Sequence, residues 1–341
     1  MPAVTRLRDV AERAGVSVSV VSRVLSEDPS LRVREDTRAR VLLAVGELGY
    51  THNHAGRALR LRWSGAIALL VPDMNNAIFA EVSRGVEIAA GEADLVMLLG
   101  RSEWLDPDNS RAARLCQQGR VDGLIVQLRD EEKSPEILGM LPPGVPAVLI
   151  NWHQHRGLSS VAIDDEEAGR VATAFLLELG HRDIGLVGGF EQTSTARARE
   201  IGYRRALADA GVARRAGWTT RLGYTPEAGR AAFAKLLESP PLPTAIVVSN
   251  VNAAAGVLAA ARDARFAVPE QLSIVTVHDT WIADHTTPAL TAVRVPTYEL
   301  GTEAARTLTR VMHGGRKQHV MVSDPPPVVV PRSTHAPGPH A

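Results

Sequence analysis

The chain has 341 residues, 45% of them hydrophobic, with 38 basic and 38 acidic side chains; that length suggests two or three folding units with a substantial core. A single cysteine, Cys116, excludes an intramolecular disulfide and a cysteine-cluster zinc site. The first 15 residues hold no apolar leader core, and the most apolar run, 245–261, is broken by Ser249, Asn250 and Asn252, so a cytoplasmic protein without a membrane span is expected.

The zero net charge hides an asymmetry. Residues 1–63 hold 11 basic and 7 acidic residues, a balance of +4, and the remainder balances at −4. A basic head on an acidic body suggests that only the head meets a polyanion. Within it, Leu7, Val10, Ala11 and Ala14 recur at helical spacing, with Thr5 or Arg6 at the helix start and Thr5 the better cap. Gly15 marks a tight turn, and Ser17 is placed to cap a second helix over 18–25 with Val21, Val24 and Leu25 on its apolar stripe. Two short helices about such a turn form a helix-turn-helix unit, whose second helix enters the major groove by its N-terminal residues. Here these are Val18, Ser19 and Val20, with Ser22 and Arg23 one turn on and Ser17 suited to a phosphate. Arg23 can donate to guanine, whereas the valines offer contact to a thymine methyl. An ordinary helical hairpin is the competing reading.

A third helix is expected over 35–48, with Val41, Leu42, Val45 and Leu48 on one face and Gly49 at its end. The basic segment 51–63 follows, carrying Arg57, Arg60, Arg62 and the isolated Leu59. Such a segment serves either as a minor-groove wedge or as a plain linker. Beyond it, strand-like runs at 66–71, 94–99, 123–126, 147–151, 184–188, 245–249 and 273–277 alternate with helical runs at 78–91, 166–179, 196–210, 226–238, 252–263 and 297–312. This alternation predicts parallel sheets covered by helices, in two doubly wound halves with a ligand cleft between them. Pro325 to Pro327 read as an edge strand and the last residues as a frayed end. Neither a catalytic constellation nor a metal-ligand spacing is found among the 11 histidines, and no nucleotide loop is present.

The segments LRDVAERAGVSVSVVSRVL, REDTRARVLLAVGELGY, NHAGRALR, VPDMNNAIFAEVSRGVE, RVDGLIV, LLELGHRDIGLVGG, STARAREIGY, VPEQLSIV, TPALTAVRVPTYELG and VVVPRST resemble, in order and spacing, the lactose-repressor (LacI/GalR) family of bacterial transcription regulators. The resemblance covers nearly the whole chain. It implies an all-α helix-turn-helix domain over 1–50, a hinge over 51–63, and a periplasmic-binding-protein-like core over 64–341. That core would have one subdomain of about 64–163 with 295–322 and another of about 165–292 with 323–334. It further implies a repressor acting as a homodimer on a pseudo-palindromic double-stranded operator and controlled by a sugar or related polar effector, with no cofactor, no enzymatic activity and no membrane contact. Tyr50, Asn53, Arg57 and Leu59 would join the head's DNA-contacting set.

The effector set implied by the resemblance comprises Asn76, Ile78, Phe79, Asn151, Trp152, Arg199, Tyr224, Asn250 and His278. Several positions depart from the family pattern. Ala77 replaces a proline, and Asn151, Val251 and His278 stand where carboxylates are usual. With Arg199 retained, that set tilts toward an anionic or less hydroxyl-rich ligand, and Trp281 is a further ring that could stack. Control by a protein partner, a binding protein without DNA function, and an enzyme on the same fold remain as alternatives.

Overall fold

The computed structural model describes residues 5–25, 28, 30–50, 63–106, 111–128, 139, 141, 143–152 and 157–339. It divides into a small unit over Met1–Ser64 and a large one over Gly65–Ala341.

The small unit holds three helices, α1 (Leu7–Ala14), α2 (Val18–Leu25) and α3 (Glu35–Glu47). Val10, Ala11, Ala14, Val21, Val24, Val41 and Ala44 form its core. Gly15 sits at φ 67° and ends α1 in the left-handed conformation, as expected from its place in the turn. The cap of α1 differs from expectation. Arg6 occupies the N-cap, its N–H donating to Asp9, while Thr5 Oγ1 instead donates to the Leu48 carbonyl and ties the start of the unit to its end. In α3 the buried face is Val41 with Ala44, and Leu42 is 52% exposed. The apolar run 41–45 is continuous there, so periodicity alone does not settle which side faces inward.

The large unit opens with β1 (Ala66–Val71), α4 (Ile78–Gly91), β2 (Val96–Arg101), α5 (Arg111–Gln117), β3 (Gly123–Val126), β4 (Ala147–Ile150) and β5 (Ser159–Ile163). Next come α6 (Asp165–Glu178), β6 (Ile184–Gly188), α7 (Ser194–Asp209), β7 (Thr219–Arg221), α8 (Pro226–Leu237), β8 (Ala245–Val248), α9 (Val251–Asp263), β9 (Ser273–Val277), α10 (Trp281–His285) and β10 (Thr291–Arg294). The chain closes with α11 (Thr297–Met312), β11 (His319–Val322) and β12 (Val328–Val330). One sheet has the order β11-β5-β4-β3-β1-β2 and is parallel throughout. The other has the order β12-β10-β9-β8-β6-β7, parallel except for β12 against β10. The central strands are buried along their length, as strands covered by helices on both faces must be. The chain leaves the first sheet after Ile163, returns after Arg294, and crosses again after Val322. Two lobes around two sheets result, and each lobe is assembled from segments distant in sequence.

Three helix pairs pack at backbone contact through reciprocal glycines. A Cβ on Gly85 would overlap the Tyr298 carbonyl oxygen, and one on Gly301 that of Val82, across the α4–α11 crossing. Gly169 and Gly202 do the same between α6 and α7, and Gly229 and Gly256 between α8 and α9. The glycines thus set how close these helices lie.

Several boundaries differ from the sequence-based expectation. Strand β2 begins at Val96 because Asp94 takes φ 54° in the turn that ends α4. Strands β5, β7, β10, β11 and β12, and helices α5 and α10, are short and lack a clear period. Pro325 to Pro327 precede β12 rather than forming it. Residues 334–338 are pinned, not frayed: Thr334 exchanges hydrogen bonds with Thr291 and Ile274, His335 meets the Phe175 ring edge-on, and Gly338 N–H donates to Leu179. Among the described residues no helix is long and apolar enough to cross a membrane.

Candidate functional site

In the small unit the start of α2 is the exposed face. Ser17 Oγ accepts the Val20 N–H at 3.3 Å, which caps the helix and leaves Val18, at 43% exposure, and Ser19 outward. Val20, Ser22 and Arg23 are half-buried, and Tyr50 packs against the unit's core. Arg23 does not project as a ready base reader. Its Nε donates to Asp28 at 2.9 Å and its Nη2 to Ser30 at 3.0 Å. Bonds from Ser30 first, then from Arg23, pull the Asp28 carboxyl down to about 2, so that partner stays ionised. A guanine contact made through Nε and Nη2 would therefore require this pair to open. Asn53, Arg57 and Leu59 lie outside the described residues.

The large unit carries a cleft at the carboxyl ends of its parallel strands. All nine residues assigned to the effector set line it: Asn76, Ile78, Phe79, Asn151, Trp152, Arg199, Tyr224, Asn250 and His278. The first lobe supplies Asn76, Ile78 and Phe79 from the loop after β1 and the start of α4, and Asn151 and Trp152 from the end of β4. The second supplies Arg199 from α7, Tyr224 from the loop before α8, Asn250 at the N-cap of α9, and His278 just past β9. The cavity is about 110 Å³. Trp281 is 64% exposed at the start of α10 and does not reach the cleft, which removes it as a stacking ring.

Arg199 is the centre of the cleft floor and is buried. Its Nε donates to Asp165 at 2.7 Å, its Nη2 stands 2.6 Å from the same carboxylate, and its Nη1 donates to the Ser249 carbonyl. Its Nη2 also meets His278 Nε2 at 3.0 Å. The retained Arg199 therefore does not by itself favour an anionic ligand. Asp165, the first residue of α6, cancels the Arg199 charge. Sequence reasoning missed it because it sits in an Asp-Asp-Glu-Glu run, where acids ordinarily serve the helix dipole.

A guanidinium only donates, so His278 Nε2 must accept. Complete burial and then the Arg199 charge hold the imidazole well below its usual titration range, so the ring is neutral. Its one proton then lies on Nδ1, a buried atom with no hydrogen-bond partner. The reverse case stands in the other lobe. Asn151 Nδ2 donates to Gln127 Oε1 at 2.9 Å, while its buried Oδ1 has none. Both residues hold positive φ, 74° for His278 and 55° for Asn151, a conformation that is uncommon outside glycine and clusters at functional sites. Among the described residues, His278 Nδ1–H is thus a buried donor and Asn151 Oδ1 a buried acceptor on the cleft lining without a hydrogen-bond partner.

The walls are apolar and aromatic. Ile78 and Phe79 are buried, and Trp152 packs against the first lobe's core. Tyr224 meets Phe190 edge-on at 5.9 Å, and its hydroxyl is shared with Thr193 and Thr195 at 3.0 and 3.1 Å. Phe190, Thr193, Thr195 and Gln127 are lining residues that the sequence reading did not single out. Asn250 lines the cleft, with its Oδ1 capping α9 at Ala253 and its Nδ2 reaching Asn76 at 3.1 Å. Val251, at the missing aspartate, is buried in the second lobe's core.

Comparison with known proteins fits this arrangement. Residues 6–53 match the model for bacterial regulatory proteins of the lacI family, and residues 173–335 match that for a periplasmic binding protein-like domain. The HTH-type transcriptional repressor PurR of Pectobacterium atrosepticum is 32% identical over 339 residues, covering 98% of this chain and 97% of that protein. The chain belongs to the lacI family of bacterial regulatory proteins. Solved structures agree with that assignment. A LacI family transcriptional regulator from Mycobacterium smegmatis is 39% identical with a TM-score of 0.73, covering 80% of this chain and 99% of that one. A complex of the transcriptional regulator CelR with cellobiose is 29% identical with a TM-score of 0.71, covering 97% and 99%. This lacI-family chain is therefore a DNA-binding transcription regulator, as the resemblance implied. The helix-turn-helix reading of the head stands against the plain hairpin.

Proposed function

We propose that this regulator represses transcription as a homodimer on a pseudo-palindromic operator, and that a small uncharged polar ring compound in its cleft controls operator affinity. The head would present Ser17, Val18, Ser19 and Val20 to the major groove, with Ser22, Arg23, Tyr50, Asn53, Arg57 and Leu59 completing the DNA-contacting set. The nine cleft residues would hold the effector. One observation carries the ligand class: a cancelled Arg199–Asp165 pair beside a neutral His278 leaves no spare positive charge in the buried floor. Asp73 on the cleft lining adds a further argument against an anion. His278 Nδ1–H would donate to a ligand oxygen or ring nitrogen, and Asn151 Oδ1 would accept from a ligand hydroxyl or N–H. An engineered cavity of about 150 Å³ holds benzene, so the space here suits a single small ring between Phe79, Trp152 and Tyr224. The cellobiose complex of the related CelR supports an uncharged polyol as the class.

Calorimetry on the full-length protein with matched pairs tests this: hexoses against their uronates, and nucleosides against their 5′-monophosphates. The neutral member of at least one pair should bind at least tenfold more tightly than its anion. Tighter binding of the anions would overturn the ligand class. No binding by any member would overturn control by a small molecule and favour a protein partner.

A further inference from the structure

The two lobes are joined across the cleft by the protein's own side chains, and one of them has no place in the pocket. Asn252 lies one turn-position inside α9, among the buried residues Val251, Ala253 and Ala254. It does not line the cavity. Its amide reaches the opposite lobe at both ends: Nδ2 donates to the Asn75 carbonyl at 3.0 Å, and Oδ1 accepts the Ala77 N–H at 3.4 Å. An amide in so apolar a setting must find partners or destabilise the fold. Its partners are backbone groups of the loop that delivers Asn76, Ile78 and Phe79 to the cleft. The Ala77 donor depends on the residue type, because a proline at that position would have no N–H to give.

We infer that Asn252 is a positioning residue, a latch that clips the 73–77 loop to the second lobe and favours the closed arrangement of the two lobes. The adjacent Asn250–Asn76 bond and the Ser194 Oγ bond to the Asn151 carbonyl lie on the same seam. A ligand enters through transient release of the latch and then meets walls already in place. This inference is independent of which ligand the cleft accepts.

Hydrogen–deuterium exchange on the full-length protein without ligand tests it. Asn252→Leu keeps the side-chain volume and removes both bonds. Ala77→Pro removes only the donor. Ala77 sits at φ −57°, which proline adopts, just ahead of α4. Asn252→Leu should speed exchange in the 72–79 peptide, on the far side of the cleft, at least fivefold. Ala77→Pro should likewise speed exchange at 250–256, while peptides of β6 and α8 keep the wild-type rate. A substitution that merely loosened its own lobe would change only peptides of that lobe. Wild-type exchange across the cleft in both variants would overturn the latch. Should Asn252→Leu fail to fold, unchanged exchange at 250–256 in Ala77→Pro overturns it alone.

Discussion

His278 and Arg199 form one unit, and each behaves as the other dictates. Arg199 fixes the tautomer of His278, and Asp165 holds Arg199 in place. Breaking a buried pair leaves an uncompensated charge, which costs about 3–5 kcal/mol. Arg199→Ala should therefore lower the urea-unfolding free energy by about that amount, and Arg199→Met combined with Asp165→Leu should restore most of it. His278 also sets a pH dependence. Its folded pKa lies well below the usual value, whereas an unfolded histidine titrates near about 6.5. The unfolded chain thus binds the extra proton first, and stability present above that value is lost as pH falls below it. Burial lowers His181 in the same direction. Unfolding free energy should fall between pH 7.5 and 5.5, and His278→Asn should reduce the slope. Effector affinity should stay flat between pH 8 and 6, since the bound imidazole is neutral throughout. A rise in affinity on acidification would show that His278 is protonated in the complex.

At the scale of elements, the glycine crossings hold the chemistry in register. Gly169 on α6 admits the backbone of Arg199 on α7, so the Asp165–Arg199 pair depends on two helices lying in backbone contact. Gly169→Ala should force them apart, lower the melting temperature and weaken effector binding at least tenfold, although the residue touches no ligand. In the head, Ser17 caps α2, and Ser17→Ala should cost about 1 kcal/mol. That loss would appear as weaker operator binding in a titration. The long periodic helices and the fully apolar central strands were legible because burial on both faces leaves a continuous signature. Short edge strands such as β7 and β12 were not, since three residues carry no period. In the cleft, the lining residues were legible by resemblance. Their charge balance was not, because Asp165 and Arg199 are 34 positions apart and only the α6–α7 crossing brings them together. The same holds for Arg23, whose pairing with Asp28 depends on how the segment after α2 turns.

For the whole molecule, a basic head on an acidic body predicts that DNA affinity resides in the head and falls steeply with salt as phosphate contacts release counterions. The latch at Asn252 biases the core toward closure, so an effector acts only through its different affinities for the closed and open forms. Control of the head by occupancy of the cleft is the core of the proposed function. It is tested most directly by fluorescence anisotropy of the full-length protein on an operator selected from random DNA, titrated with and without the neutral compound found by calorimetry. The compound should change operator affinity at least tenfold, and His278→Leu should bind operator like the wild type while losing that response. Operator affinity that is indifferent to a ligand filling the cleft would overturn control of the head by the cleft.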